Sequence, residues 1–473
     1  MKKLKFLSSF LTLILIFSLV FPNQGLALIS ISQEISMGKA ILKQLRKQVS
    51  FVQDLEIDGY VSLVGRLLVK KGVGFSPFHF HFFVIKDDTF NAFSVPGGYI
   101  FVNSGVFEHI NSEDELAGIL AHEMAHNLCR HIARRIQTAE KMQVLTLAAI
   151  IAAILLGSPK VVNAVGATSI ALAQTKMLAY SRADEEEADR VGFQILTKAG
   201  YNPWGMVELM KKLARQSDFA IEMTYRYLLT HPLPQERLNY LEILAKNYTK
   251  DKKPKNLICP DHAYFKRLCA KATVISKDPE GLVTVYKKML LENEKPWIRY
   301  SLGLALEKEG FFKDAVENLK KAIVELPKRG YFLLDLAETY LKQGNYTQTL
   351  EVLRQIKLKK KAPPYYELVR LKYFYLKARA FMGLGRYKKA YNLFKKIQKS
   401  HLVSNCPDFY FYFGKVASAL HRSGEAHFLF GMFYLQQGDY QIAAYHFRQA
   451  LLFLPKTDKM YLMARRELEG LRH

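Results

Sequence analysis

Cysteine is scarce in this sequence, and proline and glycine are spread thinly along it. Four cysteines in 473 residues cannot build a disulfide framework, although Cys259 and Cys269 lie close enough to pair in an oxidising compartment. The spacing leaves that pairing open. The 16 prolines and 27 glycines exclude a collagen-like or low-complexity protein. The length and the 49% of hydrophobic residues are instead those of a globular chain with two or three domains.

Acidic residues are outnumbered, with 43 Asp and Glu against 68 Lys and Arg, and the formal net charge is +25. From Asp251 onward the counts are 21 and 41, so most of the positive charge belongs to the second half. Between Glu351 and Ser400 there are 15 basic residues, and only Glu351 and Glu367 are acidic. This charge fits an acidic partner or lipid headgroups about as well as a solvated surface.

The first 27 residues predict export. Three lysines among the first five residues precede an uncharged apolar run at 6–21, which ends at Pro22 and the small residues up to Ala27. This pattern is typical of a cleaved secretory signal peptide over 1–27. An uncleaved membrane anchor is the alternative, but the run is shorter than the roughly 20 residues that span a bilayer. We therefore expect a periplasmic protein, which makes nucleic acid an unsuitable partner.

The first half of the mature chain, residues 28–250, mixes two periodicities. Apolar residues recur at helical spacing over 31–72, and residues 113–137 also have a helical pattern. Between these segments the period changes to two over 78–85, and a second strand is predicted at 99–102. The pattern predicts an α+β domain with a small β-sheet.

A nearly uncharged stretch follows this pattern. Residues 144–156 are almost purely Val, Leu, Ala and Ile, and a Gly-Ser-Pro stop at 157–159 separates them from a second apolar stretch at 161–178. The 18 uncharged residues between Lys141 and Lys160 are at the lower limit of what could span a membrane. We predict a helical hairpin, either buried against the domain or in peripheral contact with a membrane through residues 143–178.

Residues 260–473 contain an internal repeat. Gly310 begins the segment GFFKDA, and Gly344 begins GNYTQT 34 residues later. Gly385 and Gly438 begin two further copies of this Gly-x-aromatic turn. Each unit has the pattern of two helices joined by the turn, and the units resemble tetratricopeptide repeats. Such helix pairs stack into an α-solenoid with a concave face suited to binding a peptide or protein.

The strongest chemical signal is the segment HEMAH, with His122, Glu123 and His126, in a stretch of helical character. Residues four apart lie on the same face of a helix, so both imidazoles can bind one cation. Glu123 then lies beside that cation, where a carboxylate can handle a proton. The pattern predicts one catalytic Zn²⁺ per chain. A structural zinc is the alternative, but structural sites favour cysteine ligands.

A catalytic zinc needs a third protein ligand. His131 follows His126 by five residues, and on a continuous helix it would point about 140° away, so we do not expect it to bind. The acidic segment 181–190 predicts a second helix on which Glu185 and Asp189 share a face. Glu185 can bind the zinc, while Asp189 accepts the far N–H of a ligand histidine. Spacing alone leaves this choice open, because acidic runs are usually solvated.

Several segments of the first half form a set: 91–98 (NAFSVPGG), 105–107 (GVF), 122–126 (HEMAH), 181–189 (SRADEEEAD), 231–232 (HP) and Arg237. This set resembles the HtpX and CAAX-prenyl-protease family of gluzincin metallopeptidases, and within it the periplasmic BepA-type members with a C-terminal tetratricopeptide array. The resemblance implies that Glu185 is the third ligand and that Asp189 is the acid behind a ligand histidine. It also implies proteolysis of misassembled outer-membrane proteins and chaperone-like help to β-barrel assembly.

This ligand set predicts hydrolysis of a peptide bond. With zinc held by His122, His126 and Glu185, Glu123 takes a proton from the zinc-bound water and returns it to the leaving amine. The strand at 99–102 is expected to lie at an edge of the sheet and to accept an unfolded barrel strand as an additional strand. The residues of this predicted binding edge are Gly98, Tyr99, Ile100, Phe101 and Val102.

His231 and Arg237 complete the predicted catalytic residues beside Glu123. His231 begins the stiff loop HPLP, and Arg237 opens the next helix. His231 could donate to the oxyanion, bind the zinc and block its water as a resting-state gate, or simply belong to a turn. We favour the gate, because an open site in an exported protease endangers neighbouring proteins.

The sequence therefore predicts a mainly α protein, with a zincin-like α+β metalloprotease domain followed by an α-solenoid of tetratricopeptide repeats. Its predicted function is an exported zinc endopeptidase for misfolded or misassembled envelope proteins. The repeats would recruit substrates or the outer-membrane β-barrel assembly machinery. The alternative is a chaperone or scaffold for outer-membrane protein assembly in which the protease site is mostly silent.

Overall fold

The computed structural model describes residues 29–138, 180–216, 227, 231, 235–251, 258–359 and 361–471. The predicted signal peptide and the predicted hairpin lie outside these residues. Within them the protein is mainly helical with one small β-sheet, as the sequence predicts. No helix among the described residues is both long and apolar enough to cross a bilayer.

Two capped helices begin the described chain. α1 (Ile31–Gln48) starts at a capping box in which Ser30 and Gln33 each bond the other's backbone N–H. α2 (Leu55–Leu67) starts at Asp54, whose carboxylate accepts from two N–H groups of the first turn. The two helices bury their apolar sides in separate hydrophobic clusters.

A three-stranded sheet lies between α1 and α2. Its strands are β1 (His81–Ile85), β2 (Ala92–Val95) and β3 (Tyr99–Asn103), in the order β1-β3-β2. β1 runs parallel to β3, and β2 runs antiparallel to it. Successive residues face opposite sides, so Phe101 packs with the cluster of α1 and Ile100 packs with that of α2. The sheet is therefore covered on both faces.

The prediction of an edge strand at 99–102 is wrong. β3 pairs with β1 on one side and with β2 on the other, so it is the central strand. The residues predicted to bind substrate are all buried: Gly98, Tyr99, Ile100, Phe101 and Val102. Sequence reasoning overlooked β2, because it is only four residues long and stands just before a Pro-Gly-Gly turn.

The helix predicted over 113–137 is interrupted. A single turn, α3 (Val106–His109), leads into α4 (Glu113–Leu128), and α5 (His131–Thr138) begins after a short break. In the break, Arg130 has a left-handed φ of +57°, which is uncommon for a residue other than glycine. Its guanidinium pairs with Glu34 of α1. The backbone turns here, so the expected 140° displacement of the next residue does not apply.

The second helix of the predicted site crosses α4 closely. α6 (Arg182–Lys198) begins at a capping box built on Ser181. Gly192 permits the close approach, because a Cβ there would lie 3.2 Å from backbone atoms of His122. α6 therefore packs closely against the middle of α4. The first half is completed by α7 (Trp204–Gln216) and α8 (Gln235–Asp251).

The second half is a series of helix pairs, which confirms the repeat prediction. The four glycines of the predicted turns, Gly310, Gly344, Gly385 and Gly438, all have positive φ and end the first helix of each pair. The helices are α9 (His262–Ser276), α10 (Pro279–Glu292), α11 (Pro296–Glu309), α12 (Phe312–Glu325), α13 (Phe332–Lys342), α14 (Tyr346–Arg354), α15 (Tyr366–Gly383), α16 (Tyr387–Ile397), α17 (Pro407–Ala419), α18 (Ser423–Gln437), α19 (Tyr440–Phe453) and α20 (Lys459–Leu471).

The two halves share a hydrophobic core and a buried ionic cluster. In the second half, α9 places Arg267 between Glu56 of α2 and Asp335 of α13. Arg267 Nη2 lies 2.7 Å from Glu56 Oε2 and 2.8 Å from Asp335 Oδ1. All three side chains are buried. The halves predicted at 28–250 and 260–473 are therefore in direct, buried contact.

All four cysteines are free thiols in the structure. The thiol of Cys259 donates to the C=O of Asp261 at 3.3 Å, and Cys269 lies on α9. Burial raises the pKa of Cys259 to about 12 and also raises that of Cys269, so both thiols stay protonated at neutral pH. The pairing that the spacing left open is not formed.

Candidate metal centre

The two histidines of the HEMAH segment face one point. His122 and His126 lie one turn apart on α4, and their Nε2 atoms are 3.0 Å from each other. Both residues are buried, with 3% and 1% of their surface exposed. Two imidazole nitrogens that meet inside the protein have the arrangement that two ligands of one cation require.

Glu185 reaches the same point from α6. Its Oε2 lies 3.5 Å from Nε2 of His122, and its Oε1 lies 3.5 Å from Nε2 of His126. The side chain is fully buried. Because Glu185 stands in the first turn of α6, the cap at Ser181 fixes its place along α4. The structure thus brings the predicted third ligand to the predicted histidine pair.

Asp189 and Arg237 contact the side chains of two proposed ligands, His122 and Glu185. Asp189 Oδ1 lies 3.1 Å from Nδ1 of His122, the nitrogen that faces away from the common point. Arg237 donates to both oxygens of Asp189, with distances of 2.7 Å from Nε and 2.9 Å from Nη2. Its Nη1 lies 2.6 Å from Glu185 Oε2. Arg237 therefore contacts two carboxylates of the site and has the contacts of a positioning residue.

Glu123 follows the first histidine of the pair and is fully buried. Neither of its carboxylate oxygens has a hydrogen-bond partner within the described part of the chain. Burial raises the pKa of Glu123 above its usual range, although positive charge on His231 and His122 opposes this effect. A buried carboxylate that lacks a donor is placed to accept a proton from a small molecule in the site.

His231 lies over the same point between two tyrosines. Its Nδ1 is 3.0 Å from Glu185 Oε1, and its Nε2 is 3.6 Å from Glu123 Oε1. Its ring is stacked on Tyr227 with a centroid distance of 4.5 Å and lies 5.0 Å from the ring of Tyr180. The structure therefore brings His231 into the site, beside Glu185 and Glu123.

Opposing effects set the protonation of the buried acids and histidines. Burial would raise the pKa of Glu185, but charge on His231, a hydrogen bond from His122 and charge on Arg237 hold it well below its usual range. Burial would lower the pKa of His122, but Asp189 and Glu185 raise it to about 10. The negative field that favours a proton at His122 also favours a divalent cation at the same point.

The donor atoms fit a single metal ion. Four residues each offer one atom within 4.8 Å of all the others, namely His122, His126, Glu185 and His231. Nε2 of His231 and both oxygens of Glu123 are buried without a hydrogen-bond partner among the described residues. Buried polar atoms ordinarily have partners, and a metal ion with its water would supply them.

Sequence reasoning missed two aromatic neighbours of the site and placed one imidazole wrongly. Tyr180 stacks on His126 with a centroid distance of 3.8 Å, and Tyr227 stacks on His231. His131 lies 2.8 Å from His126 through their Nδ1 atoms. Tyr180 directly precedes the Ser-Arg segment of the predicted second helix, so its position in the sequence could have indicated it. No sequence pattern near Tyr227 indicated that residue.

The fold and the site together define a metal-dependent peptidase joined to a tetratricopeptide array. Residues 59–245 match the family model of peptidase family M48, and residues 306–373 match that of a tetratricopeptide repeat. Over residues 59–245 the chain is similar to peptidase family M48, and it is a metallopeptidase. This confirms the family resemblance and the enzyme class that the sequence predicts.

Three relatives illustrate the likeness. The beta-barrel assembly-enhancing protease of Yersinia pestis is 29% identical over 352 residues, which cover 72% of this chain and 70% of that protein. The protein of the same name from Escherichia coli (strain K12) is 29% identical over 317 residues, which cover 65% of this chain and only 63% of that protein. Mitochondrial metalloendopeptidase OMA1 of Schizosaccharomyces pombe is 29% identical over 183 residues, which cover 39% of this chain and 51% of that protein.

Proposed function

We propose that this chain is an exported zinc endopeptidase that hydrolyses peptide bonds of misfolded or misassembled envelope proteins. The observation that carries the proposal is the convergence of His122, His126 and Glu185 on one point, with the carboxylate of Glu123 beside it. Support for export comes from the N-terminal sequence pattern. Support for the substrate class comes from the name of the relatives, beta-barrel assembly-enhancing protease.

Zinc is the cation that this donor set fits best. Two imidazole nitrogens and one carboxylate form the set found in mononuclear zinc peptidases, whereas Mg²⁺ and Ca²⁺ prefer oxygen ligands throughout. We propose one ion per chain, held by His122, His126 and Glu185. Asp189 Oδ1 lies 3.1 Å from Nδ1 of His122, and a hydrogen bond from that N–H would fix the tautomer of His122.

The residues of the chain supply the proton transfers. A bound metal ion would act as a Lewis acid towards a water molecule and the scissile carbonyl. Glu123 takes a proton from that water and returns it to the leaving amine. Its raised pKa suits this role, because the same carboxyl must act first as a base and then as an acid. Asp189 and Arg237 hold His122 and Glu185 in place during these steps.

We propose that the substrate adds to the sheet at β2. Within the described residues β2 pairs with β3 alone, although its four residues are as buried as those of β3. β2 packs against α4, the helix that carries Glu123. A peptide that paired with β2 would be held through its backbone and would run beside Glu123. An unfolded barrel strand has the extended backbone that this mode of binding needs.

The purified full-length protein should contain about one zinc ion per chain, and chelation of that ion should abolish peptide hydrolysis. His126→Ala should lose the ion because a ligand is missing, whereas His401→Ala, which changes an exposed histidine of the second half, should keep it. Elemental analysis and cleavage of an unfolded protein substrate before and after chelation measure both effects. Full activity after complete removal of metal would contradict the proposal.

We propose that His231 closes the site in its resting state. His231 is one of the four residues that could ligate one ion, and its Nε2 is buried without a hydrogen-bond partner among the described residues. A fourth protein ligand occupies the position that a catalytic site leaves open for water. The stacking on Tyr227 holds the ring in this place. Opening the site then requires His231 to move away.

Replacing His231 with alanine should raise cleavage of an unfolded substrate by about 3- to 10-fold, as expected when the open state is a minority of roughly 10–30%. Steady-state rates at saturating zinc measure the change. The double variant with Glu123→Gln should be inactive, which would assign the added cleavage to this site. Unchanged or lower activity in His231→Ala would remove the gate and favour a role at the oxyanion.

We also propose that the repeat half recruits substrates or the outer-membrane β-barrel assembly machinery. Support comes from the helix pairs of the second half and from the name of the relatives. The excess of basic residues between Glu351 and Ser400 favours an acidic partner or lipid headgroups. Peripheral membrane contact through residues 143–178 remains a prediction from the sequence, since that segment lies outside the described residues.

A further inference from the structure

A further buried histidine, His131, lies behind the proposed metal site. Nδ1 of His131 is 2.8 Å from Nδ1 of His126, and Nε2 of His131 is 3.0 Å from Oε2 of Glu187. The side chain of His131 is fully buried, whereas that of Glu187 is 47% exposed. Two hydrogen-bonded groups, His131 and Glu187, thus connect a proposed metal ligand with the protein surface.

We propose that His131 is a positioning residue that, together with Glu187, holds His126 in the tautomer and orientation that bind the metal ion. The inference rests on the proposed metal site and extends it by two residues. Asp189 has the equivalent relation to His122, since it lies 3.1 Å from the nitrogen that faces away from the ion. Each histidine of the pair would then have its own partner behind it.

The count of protons supports this assignment. A neutral imidazole has one N–H, so His126 with Nε2 directed at the ion carries its N–H at Nδ1. That N–H can donate to Nδ1 of His131 only if His131 carries its own N–H at Nε2. The Nε2–H of His131 then donates to the carboxylate of Glu187. With this distribution of protons, His126, His131 and Glu187 all take part in hydrogen bonds.

The turn between α4 and α5 creates this contact. Arg130 takes the left-handed conformation there, and its guanidinium is held by Glu34 of α1. The side chain of Glu34 is itself buried. α5 therefore starts with its first residue, His131, directed back at His126. A continuous helix would have carried the same residue away from the site.

A second metal ion is the alternative occupant of this region. Cys129, His131 and Glu187 offer three donor atoms within 4.8 Å of one another. An ion bound to Nε2 of His131 would force its N–H onto Nδ1, where it would meet the N–H of His126. Burial also raises the pKa of Cys129 to about 12, which disfavours the thiolate that an ion needs. The observations therefore favour the hydrogen-bonded chain.

Zinc affinity, measured by competition between the full-length protein and a chromogenic chelator, tests the inference without reference to activity. His131→Ala should weaken zinc binding by about 10- to 100-fold, as loss of such a partner usually does. His131→Asn places an oxygen acceptor where Nδ1 stood, so it should recover a large part of that loss. A purely structural role for His131 predicts no such rescue by asparagine.

Glu187→Gln provides a second test at a partly exposed position, where folding is not at risk. It replaces a carboxylate with a weaker, neutral acceptor, so zinc binding should again weaken. Glu186→Gln is the matched control on the same helix, because the side chain of Glu186 forms an exposed ion pair with Arg190. Equal zinc affinity of the two glutamine variants would overturn the inference, as would unchanged affinity of folded His131→Ala.

Two further outcomes would distinguish failure of this inference from failure of the proposed metal site. Wild-type protein that binds no zinc at all would refute the metal site itself. Wild-type protein that binds two zinc ions, one of which is lost in Cys129→Ser, would replace the hydrogen-bonded chain with a second metal site. One bound ion whose affinity depends on His131 and Glu187 is the result that the inference requires.

Discussion

Glu123→Gln should lower the rate of peptide hydrolysis by about 10²- to 10⁴-fold and leave the bound metal in place. Glutamine has nearly the same shape but cannot take a proton from water at neutral pH, so the general-base contribution is lost. Glu123 contacts none of the proposed ligands through a hydrogen bond within the described residues, so the metal should stay bound. Steady-state cleavage of an unfolded protein and elemental analysis of the same sample measure the two quantities.

The same variant separates the two functions that the sequence left open. A chaperone or scaffold with a mostly silent protease site would keep its effect on outer-membrane protein assembly in Glu123→Gln. A protease would lose it. Glu186→Gln on α6 is the control, since it removes one carboxylate from an exposed position and should leave hydrolysis unchanged. Hydrolysis within about twofold of wild type in Glu123→Gln would exclude the general-base role.

Arg267→Met should destabilise the whole protein by about 3–5 kcal/mol, because it removes the guanidinium that two buried carboxylates share and leaves Lys271 as the remaining buried cation beside them. Arg267 is fully buried and lies between Glu56 of the first half and Asp335 of the second. Methionine keeps much of the volume of the side chain, so lost charge pairing is the main change. Urea unfolding followed by circular dichroism measures the shift.

Arg329→Met is the matched control for this prediction. Arg329 also forms an ion pair, with Asp261 at 2.9 Å, but its side chain is 50% exposed. Such a pair contributes less than about 1 kcal/mol to the free energy of unfolding. If Arg267→Met and Arg329→Met proved equally mild, the buried cluster could not be what joins the two halves.

Features set by local spacing were predictable from the sequence. His122 and His126 had to share a helix face because they are four residues apart, and no glycine or proline interrupts that stretch. The repeat was predictable for the same reason, since the turn glycines recur with adjacent aromatic residues. Glu185 was different, because spacing offered it only as one of several acidic residues and the family resemblance selected it.

Features set by distant contacts were not predictable. The break between α4 and α5 depends on the pairing of Arg130 with Glu34, 96 residues earlier in the chain. No local sequence pattern indicates the contact between Arg130 and Glu34, so His131 was predicted to point away from the site. The edge strand was misplaced for a related reason. β3 is central because β1 and β2 both pair with it, and strand order is a property of the whole sheet.

Anomalous diffraction from crystals of the zinc-loaded protein, recorded on both sides of the zinc absorption edge, tests the central claim most directly. The account predicts one peak about 2.0–2.2 Å from Nε2 of His122, Nε2 of His126 and a carboxylate oxygen of Glu185. A zinc peak that none of these three residues contacts, or crystals of active enzyme with no such peak, would contradict it.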